Sequence, residues 1–505
     1  MTVDWLGNRI GLVIILLSFL LGILLIFNRP FGILGLTAIL VTMSIFKLLT
    51  LSQGSWWKLW LAIIFLSAFG PFLDVVTGQP INWLIGLVVI LLFLLSQFAR
   101  LFARPNGEFK KSSLRVYLPV VGAALSIYML YSLAQAFRPD VETWSTLLAL
   151  RAPLIGFAGY FLTLYGFREN MDSGEVISRV RQLLLLFIFV SLVVAAYGVF
   201  QFIVGFERLQ AWGLVDPSVR YLHYQRNLGG GTPIFRVFST MRRNEVLGVL
   251  LYLNMVACAV ALRLNLHPRW LILTSLGLSS LSLILSFSLT SIVMLFIWLG
   301  LVVISTRSRQ ALRVVIIFAF LGLLSIFLVN SLTGGIIQAR FAEHLLDTEE
   351  DIGRVRMFMN WMEEMIERPI FTGMLGTGIC TSLDEGTVGR LSDVLGLAGI
   401  QIRDGFECGW QREVHDNWYA THSLEIGWLG LLLFWLVFLL IGISIIPKLR
   451  RHWRQPEAGA WLMLALGVLA LWPAGFVGAL IMYMPITLYF WSFAALIEVG
   501  SLTHS

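Results

Sequence analysis

Apolar runs of about 20 residues follow one another along nearly the whole chain, the length a helix needs to cross a hydrocarbon core about 30 Å thick. They fall at residues 10–27, 31–50, 58–76, 81–103, 115–136, 151–167, 182–206, 245–263, 269–285, 289–305, 313–330, 424–446, 458–477 and 480–498. The apolar block from Leu271 to Ile304 has twice the necessary length and is divided in two, which brings the total to about fourteen spans. None shows strand alternation, and in lipid a helix satisfies its own backbone groups. The chain is therefore predicted to be an all-α, polytopic integral membrane protein. Its composition agrees, because 58% of the 505 residues are hydrophobic and only 13% charged, far from the balance of a soluble domain.

Topology follows from the charges. Met1 to Asn8 carries Asp4 but no basic cluster and no small-residue cleavage site, so the first apolar run is expected to stay as a helix. Lys47 and Lys58, Arg100 to Arg115, Arg168 to Arg181, Arg263 and Arg269, Arg307 to Arg313, and Lys448 to Arg454 occupy loops that alternate with less basic ones. With about fourteen spans these loops share one side, which the positive-inside rule makes cytoplasmic, with both termini inside. The net charge of +7 is then mainly a signature of topology and gives no reason to expect a nucleic-acid partner.

The two long loops on the other side, 207–243 and 331–423, hold arginine but no lysine. An arginine fork suits bidentate recognition of phosphate or carboxylate, whereas an ordinary inside preference of lysine would leave the same pattern. The first loop ends in Gly229-Gly230-Gly231 and delivers Arg236, Arg242, Arg243 and Glu245 to the mouth of a helix; its spacing is neither a Walker nor a dinucleotide motif. The second contains a stripe of Val355, Phe358, Met362, Met365 and Ile366 between Arg354 and Arg368, stopped by Pro369, as in a helix lying in the membrane interface. Cys380 and Cys408 flank an insert in that loop, either as a disulfide contributing about 3 kcal/mol or as two free thiols. Cys258 lies within a membrane helix. Asp74 and Arg151 stand at helix ends, where interfacial roles are the commoner reading, although Arg151 could also join a phosphate site.

Three segments together resemble the O-antigen ligase-like family, which includes O-antigen ligases, repeat-unit polymerases and protein O-oligosaccharyltransferases. The first is Arg236-Val237-Phe238-Ser239-Thr240-Met241-Arg242-Arg243-Asn244 with Gly248. The second is Arg354 with Phe358 and then Pro369-Ile370-Phe371-Thr372-Gly373. The third is His415-Asp416-Asn417-x-Tyr419, running through Glu425-x-Gly427-x-x-Gly430 into a helix. The likeness covers the region 207–505; residues 1–206 match only as helical membrane scaffold.

This resemblance implies a GT-C-like fold in a bacterial inner membrane, with the active face external. It implies transfer of a glycan from an undecaprenyl-diphosphate carrier to a glycan or lipid-linked acceptor, with no cofactor and no required metal, and with polysaccharide export proteins as further partners. Carried over by position, Arg236 and Arg354 contact the diphosphate, Arg242 and Arg243 lie beside them, and His415 accompanies the acceptor hydroxyl. Counted back from Gly427 and Gly430, however, the family's histidine falls on Asp416, so His415 and Asp416 are both candidates for the base.

The chemistry asks for these residue types on its own grounds. Cations stabilise charge developing on a departing lipid diphosphate, and a neutral histidine or a carboxylate takes the proton of the attacking hydroxyl. Direct attack of this kind inverts the anomeric centre and needs no paired glycosidase carboxylates. Each residue also has a plainer role: His415 and His422 as interfacial hydrogen-bonding residues, Arg242 and Arg243 as snorkelling helix-end residues, Glu425 as a cap, and Glu349-Glu350-Asp351 as a solvated turn. Repeat-unit polymerisation of a surface or exopolysaccharide is the favoured activity. Ligation to lipid A-core, transport or flipping of a lipid-linked glycan, and a catalytically inactive assembly partner are the alternatives. A transporter is expected to place ionisable residues or broken helices at mid-membrane.

Overall fold

The computed structural model describes residues 53–78, 81–102, 120–135, 150–167, 173–215, 225–227, 233–241, 243–306, 418–472 and 483–502, and single positions elsewhere. Helices α1 (Gln53–Ser67) and α2 (Gly70–Thr77) form one apolar unit broken by a 57° bend. Gly70 and Pro71 explain the break, since proline cannot donate to the preceding turn and its ring opposes helix continuation. Next come α3 (Ile81–Phe102), α4 (Val120–Gln135), α5 (Arg151–Tyr165), α6 (Ser173–Val204) and the short α7 (Phe206–Ala211).

Strands β1 (Gln225–Asn227) and β2 (Pro233–Phe235) pair antiparallel with Arg226 opposite Ile234, and among the described residues they are a small addition to the helices. After them run α8 (Asn244–Arg263), α9 (Arg269–Leu285), α10 (Leu289–Thr306), α11 (Trp418–Leu440), a π-helical turn (Ile441–Ile445), α12 (Ile446–Arg451), α13 (Pro456–Leu469) and α14 (Met484–Leu502). The long apolar block 271–304 does divide, at Ser286 to Ser288, where Phe287 takes a left-handed φ of 51°.

Four helical stretches among the described residues are long and apolar enough to cross a membrane: 174–204, 244–263, 426–451 and 484–501. The bent α1–α2 unit makes a fifth, and shorter apolar helices accompany them. The expected spans at 10–27 and 31–50 lie outside the described residues, and single described positions between 313 and 331 are helical. Large apolar side chains such as Phe200, Ile203, Phe296, Ile304, Leu432 and Ile443 are exposed on these helices. Such outward apolar faces are compatible with a protein embedded in a membrane.

Helix α8 is the centre of the packing, buried without interruption from Val246 to Ala261. It packs against α6, α9, α10, α13 and α14. Apolar surfaces gain little by meeting each other in lipid, so polar side chains link the helices as well. Asn254 Nδ2 donates to Ser275 Oγ at 2.9 Å and Ser279 Oγ at 2.8 Å; Tyr252 OH reaches Gly467 O at 2.7 Å. Helices α5 and α14 run the same way, because Ile155 and Met484 both lie against Gly86, and further along Thr163 Oγ1 meets Ser492 Oγ at 3.0 Å.

The two ends of the bundle differ in chemistry. At one end Arg179 donates to Gly166 O and stacks over Trp57 at 5.8 Å. There Arg181 also reaches His267 O at 3.2 Å, and Arg263 Nη2 spans Trp453 O and Arg454 O, each at 3.2 Å. The opposite end carries Asp74, Arg151, the Arg236–Asn244 segment, Tyr419 and Tyr483. The described members of the alternating basic loops thus collect at a single end. Helix α6 starts at Ser173, earlier than expected, because Glu175 and Arg179 pair across one turn at 3.0 Å and extend it with polar residues.

Candidate functional site

The segment between β2 and α8 combines polar sequence with deep burial. Arg236, Ser239, Thr240 and Asn244 are all under 9% exposed, and Val237, Phe238 and Met241 are buried among them. Ser239 sits in a left-handed conformation, φ 50°, at the start of a 3-10 turn, Ser239–Met241. This conformation is unusual outside glycine and persists only where the surroundings impose it.

Helix ends supply that restraint. Gln201, near the end of α6, accepts from Ser239 N at 2.7 Å through Oε1 and donates to Ser239 O at 3.3 Å through Nε2. Ser239 Oγ donates to Val194 O at 2.6 Å. Thr240 Oγ1 donates at 3.0 Å to Ala68 O, at the α1–α2 bend. Val237 N reaches Leu285 O at 3.2 Å, and Asn244 Nδ2 reaches Ser286 O at 3.0 Å, where α9 ends. Three separate helix ends therefore fix one loop.

What that loop presents is positive charge. The Arg236 side chain is 9% exposed and lies 3.7 Å from Glu245 Oε1, an ion-pair distance beyond hydrogen bonding. Glu245 is in the first turn of α8, where a carboxylate also favours the helix dipole. Arg243 packs over the Tyr483 ring at 5.4 Å, immediately before α14. Arg236, Arg243 and Glu245 thus stand on one short stretch, with Arg236 buried and the other two half-buried. Arg242, Arg354, His415 and Asp416 lie outside the described residues, as do Cys380, Cys408 and the remainder of the amphipathic stripe after Arg354.

The helix that follows His415 and Asp416 is described. It starts at Trp418 rather than near Leu424, because Tyr419 is buried, donates its OH to Trp472 O and packs against the rings of Trp435 and Trp472. At Gly427 the helix breaks with φ 72° and ψ 175°, a conformation that favours glycine. The break frees the Ile426 carbonyl, and Tyr131 OH of α4 donates to it at 2.7 Å. Gly430 in turn leaves room for Ile426, whose side-chain atoms would lie 2.3 Å from a Cβ there. The two glycines downstream of His415 thus have separate jobs.

Two charged residues expected at helix ends are drawn into the packing. Asp74 is only 5% exposed and accepts from Asn82 N at 2.7 Å, so it caps the start of α3. The bend at Ala68 and Phe69 redirects α2 and makes this possible. Arg151 is part-buried, with Nε and Nη1 shut off from solvent and without hydrogen-bond partners, which excludes snorkelling for those atoms. The Asp74 charge acts on Arg151 electrostatically. Gln201 was the least visible of the site residues, although one glutamine at the end of a long apolar run was its trace in the sequence.

Among the described residues no three His, Cys, Asp or Glu side chains are grouped as a bound metal would need. Taken together, the fold and site define a helical protein compatible with membrane embedding, with an arginine-bearing loop fixed at one end. The chain matches no protein-family model, and no curated protein matches it.

Proposed function

We propose that this protein is a membrane glycosyltransferase of the O-antigen ligase-like kind, GT-C-like in architecture, which acts at the external face of a bacterial inner membrane. In this account the end bearing Arg236 is external and the basic end is cytoplasmic, with both termini inside. The donor is a glycan on undecaprenyl diphosphate. The acceptor hydroxyl attacks the anomeric carbon, the bond from that carbon to the diphosphate oxygen breaks, and undecaprenyl diphosphate leaves. His415 or Asp416 takes the hydroxyl proton, and Arg236, Arg354, Arg242 and Arg243 stabilise the charge on the leaving group.

The observation that carries this proposal is the burial of the Arg236 segment and its fixation by three helix ends. A diphosphate leaving group calls for cations held in place before reaction, in surroundings drier than water. Polymerisation of surface or exopolysaccharide repeat units is the favoured activity within the class, with ligation to lipid A-core beside it. Transport or flipping of the lipid-linked glycan is the rival, and the broken α1–α2 unit with buried Asp74 is the feature in its favour.

Product analysis separates these activities. Purified protein in lipid is given the carrier-linked glycan, and wild type is compared with Arg354→Ala and His415→Ala. Longer carrier-linked chains that vanish in both variants support polymerisation at this site. Transfer only to an added non-carrier acceptor identifies a ligase, and carrier movement without any product overturns the enzyme.

A further inference from the structure

We infer that Arg151 is a second oxyanion anchor at the Arg236 end of the bundle, built to hold the phosphate of a phosphate ester. A guanidinium carries five N–H donors, and Nε and Nη1 account for three of them. In Arg151 these atoms are buried and have no hydrogen-bond partner. Burying such donors unpaired lowers stability, and a charge kept inside a helical membrane protein commonly serves a ligand.

Asp74 does not fill the vacancy. It is buried and accepts from Asn82 N at 2.7 Å, and its charge moderates that of Arg151 without forming a hydrogen bond to Nε or Nη1. The position also favours an anion. Arg151 opens α5, and one turn further in Ile155 lies beside Met484, the first residue of α14. Two helix N-termini, each with the positive end of its dipole, therefore stand together at this place. Arg243 packs on Tyr483 just ahead of α14, so Arg151 and Arg243 approach the beginning of the same helix from different neighbours.

This assignment deepens the proposed recognition of a lipid diphosphate and rests on it for the choice of ligand. The phosphate could belong to a polyprenyl headgroup or to a free anion, and the test includes both. The full chain in lipid nanodiscs is titrated with undecaprenyl diphosphate, undecaprenol and inorganic pyrophosphate, for wild type, Arg151→Gln, Arg151→Lys and Arg236→Gln. Arg151→Gln is expected to weaken undecaprenyl diphosphate about ten- to a hundredfold, as loss of charged hydrogen bonds does, and Arg151→Lys to regain part of it. Undecaprenol binding stays unchanged. A parallel loss of pyrophosphate binding supports a site that also accepts the free anion, whereas pyrophosphate that fails to bind wild type assigns the site to the lipid headgroup.

Wild-type affinity in Arg151→Gln, with weakened binding in Arg236→Gln, overturns the anchor and leaves the Arg236 proposal standing. The reverse pattern overturns Arg236 and keeps Arg151. If neither undecaprenyl diphosphate nor pyrophosphate binds wild type, both are overturned. If Arg151→Gln fails to fold because Asp74 loses the nearby positive charge, Asp74→Asn with Arg151→Gln removes both charges and is read by the same outcomes.

Discussion

Gln201 holds the backbone of Ser239 on both sides, accepting from its N–H at 2.7 Å and donating to its carbonyl at 3.3 Å. Both residues are buried, so each of these groups would otherwise lack a partner. Gln201→Leu is expected to cost about 1–3 kcal/mol of local stability. Hydrogen exchange across 236–243 checks this: the exchange accelerates in the variant while α13 and α14 stay protected. Unchanged protection would mean that Val194 and Ala68 suffice to hold the turn.

Arg236 and Glu245 are separated by 3.7 Å, with Glu245 the more exposed partner at 27%. Removing Glu245 therefore perturbs a partly screened contact, whereas removing Arg236 takes away the buried cation. Glu245→Gln is expected to retain most activity, and Arg236→Ala to lose about a hundredfold or more in turnover, the usual scale for loss of a group that stabilises transition-state charge. Steady-state turnover with the carrier-linked glycan separates them. Equal losses would assign the pair a structural role.

Helix α11 depends on Gly427, where φ is 72°. Gly427→Ala is expected to destabilise by about 1–3 kcal/mol through backbone strain. Tyr131→Phe removes the hydroxyl that serves Ile426 O at 2.7 Å and is expected to cost about 1–3 kcal/mol. Thermal unfolding in one detergent compares the two, and a lowered midpoint in each is the expected outcome.

Glu498 on α14 is 3% exposed and takes hydrogen bonds from Tyr160 OH and, at 3.3 Å, from Val121 N at the start of α4. Glu498→Gln keeps the shape but puts an amide donor against one of two donors. A loss of about 1–3 kcal/mol is expected. The same thermal scan checks it, with Tyr160→Phe as the partner variant that relieves part of the conflict.

Orientation is tested with one added cysteine at a time in a background freed of Cys380 and Cys408, in which the remaining Cys258 is buried. Gln210, exposed in α7, lies at the Arg236 end, and Arg451, exposed at the end of α12, lies at the basic end. In intact cells a membrane-impermeant maleimide is expected to label Gln210→Cys and spare Arg451→Cys. The opposite pattern would invert the topology and place the arginine loop inside.

Much of the helical layout was legible because apolar length is a strong signal. Helix α9 occupies the expected 269–285, and α3, α5, α8 and α10 differ from expectation by a residue or two. The misjudged ends have physical causes. Gly70 and Pro71 break an apolar run that hydropathy alone reads as continuous, and the break lets Asp74 cap α3. Tyr419 draws the start of α11 back into a polar stretch by burying its ring beneath Trp435 and Trp472. The site was legible as arginines near a helix mouth. Its restraint by Gln201 was not, because a pairing between residues 38 apart leaves no periodic mark.

The most direct measurement is the fate of the carrier. Purified protein in sealed vesicles is given the undecaprenyl-diphosphate glycan alone, and free undecaprenyl diphosphate is counted against glycan lengthening for wild type and Arg236→Ala. The expected result is one carrier released for each repeat unit added, with both lost in Arg236→Ala. Carrier that crosses the bilayer with its glycan still attached, with none released, would contradict the glycosyltransferase and make the protein a transporter.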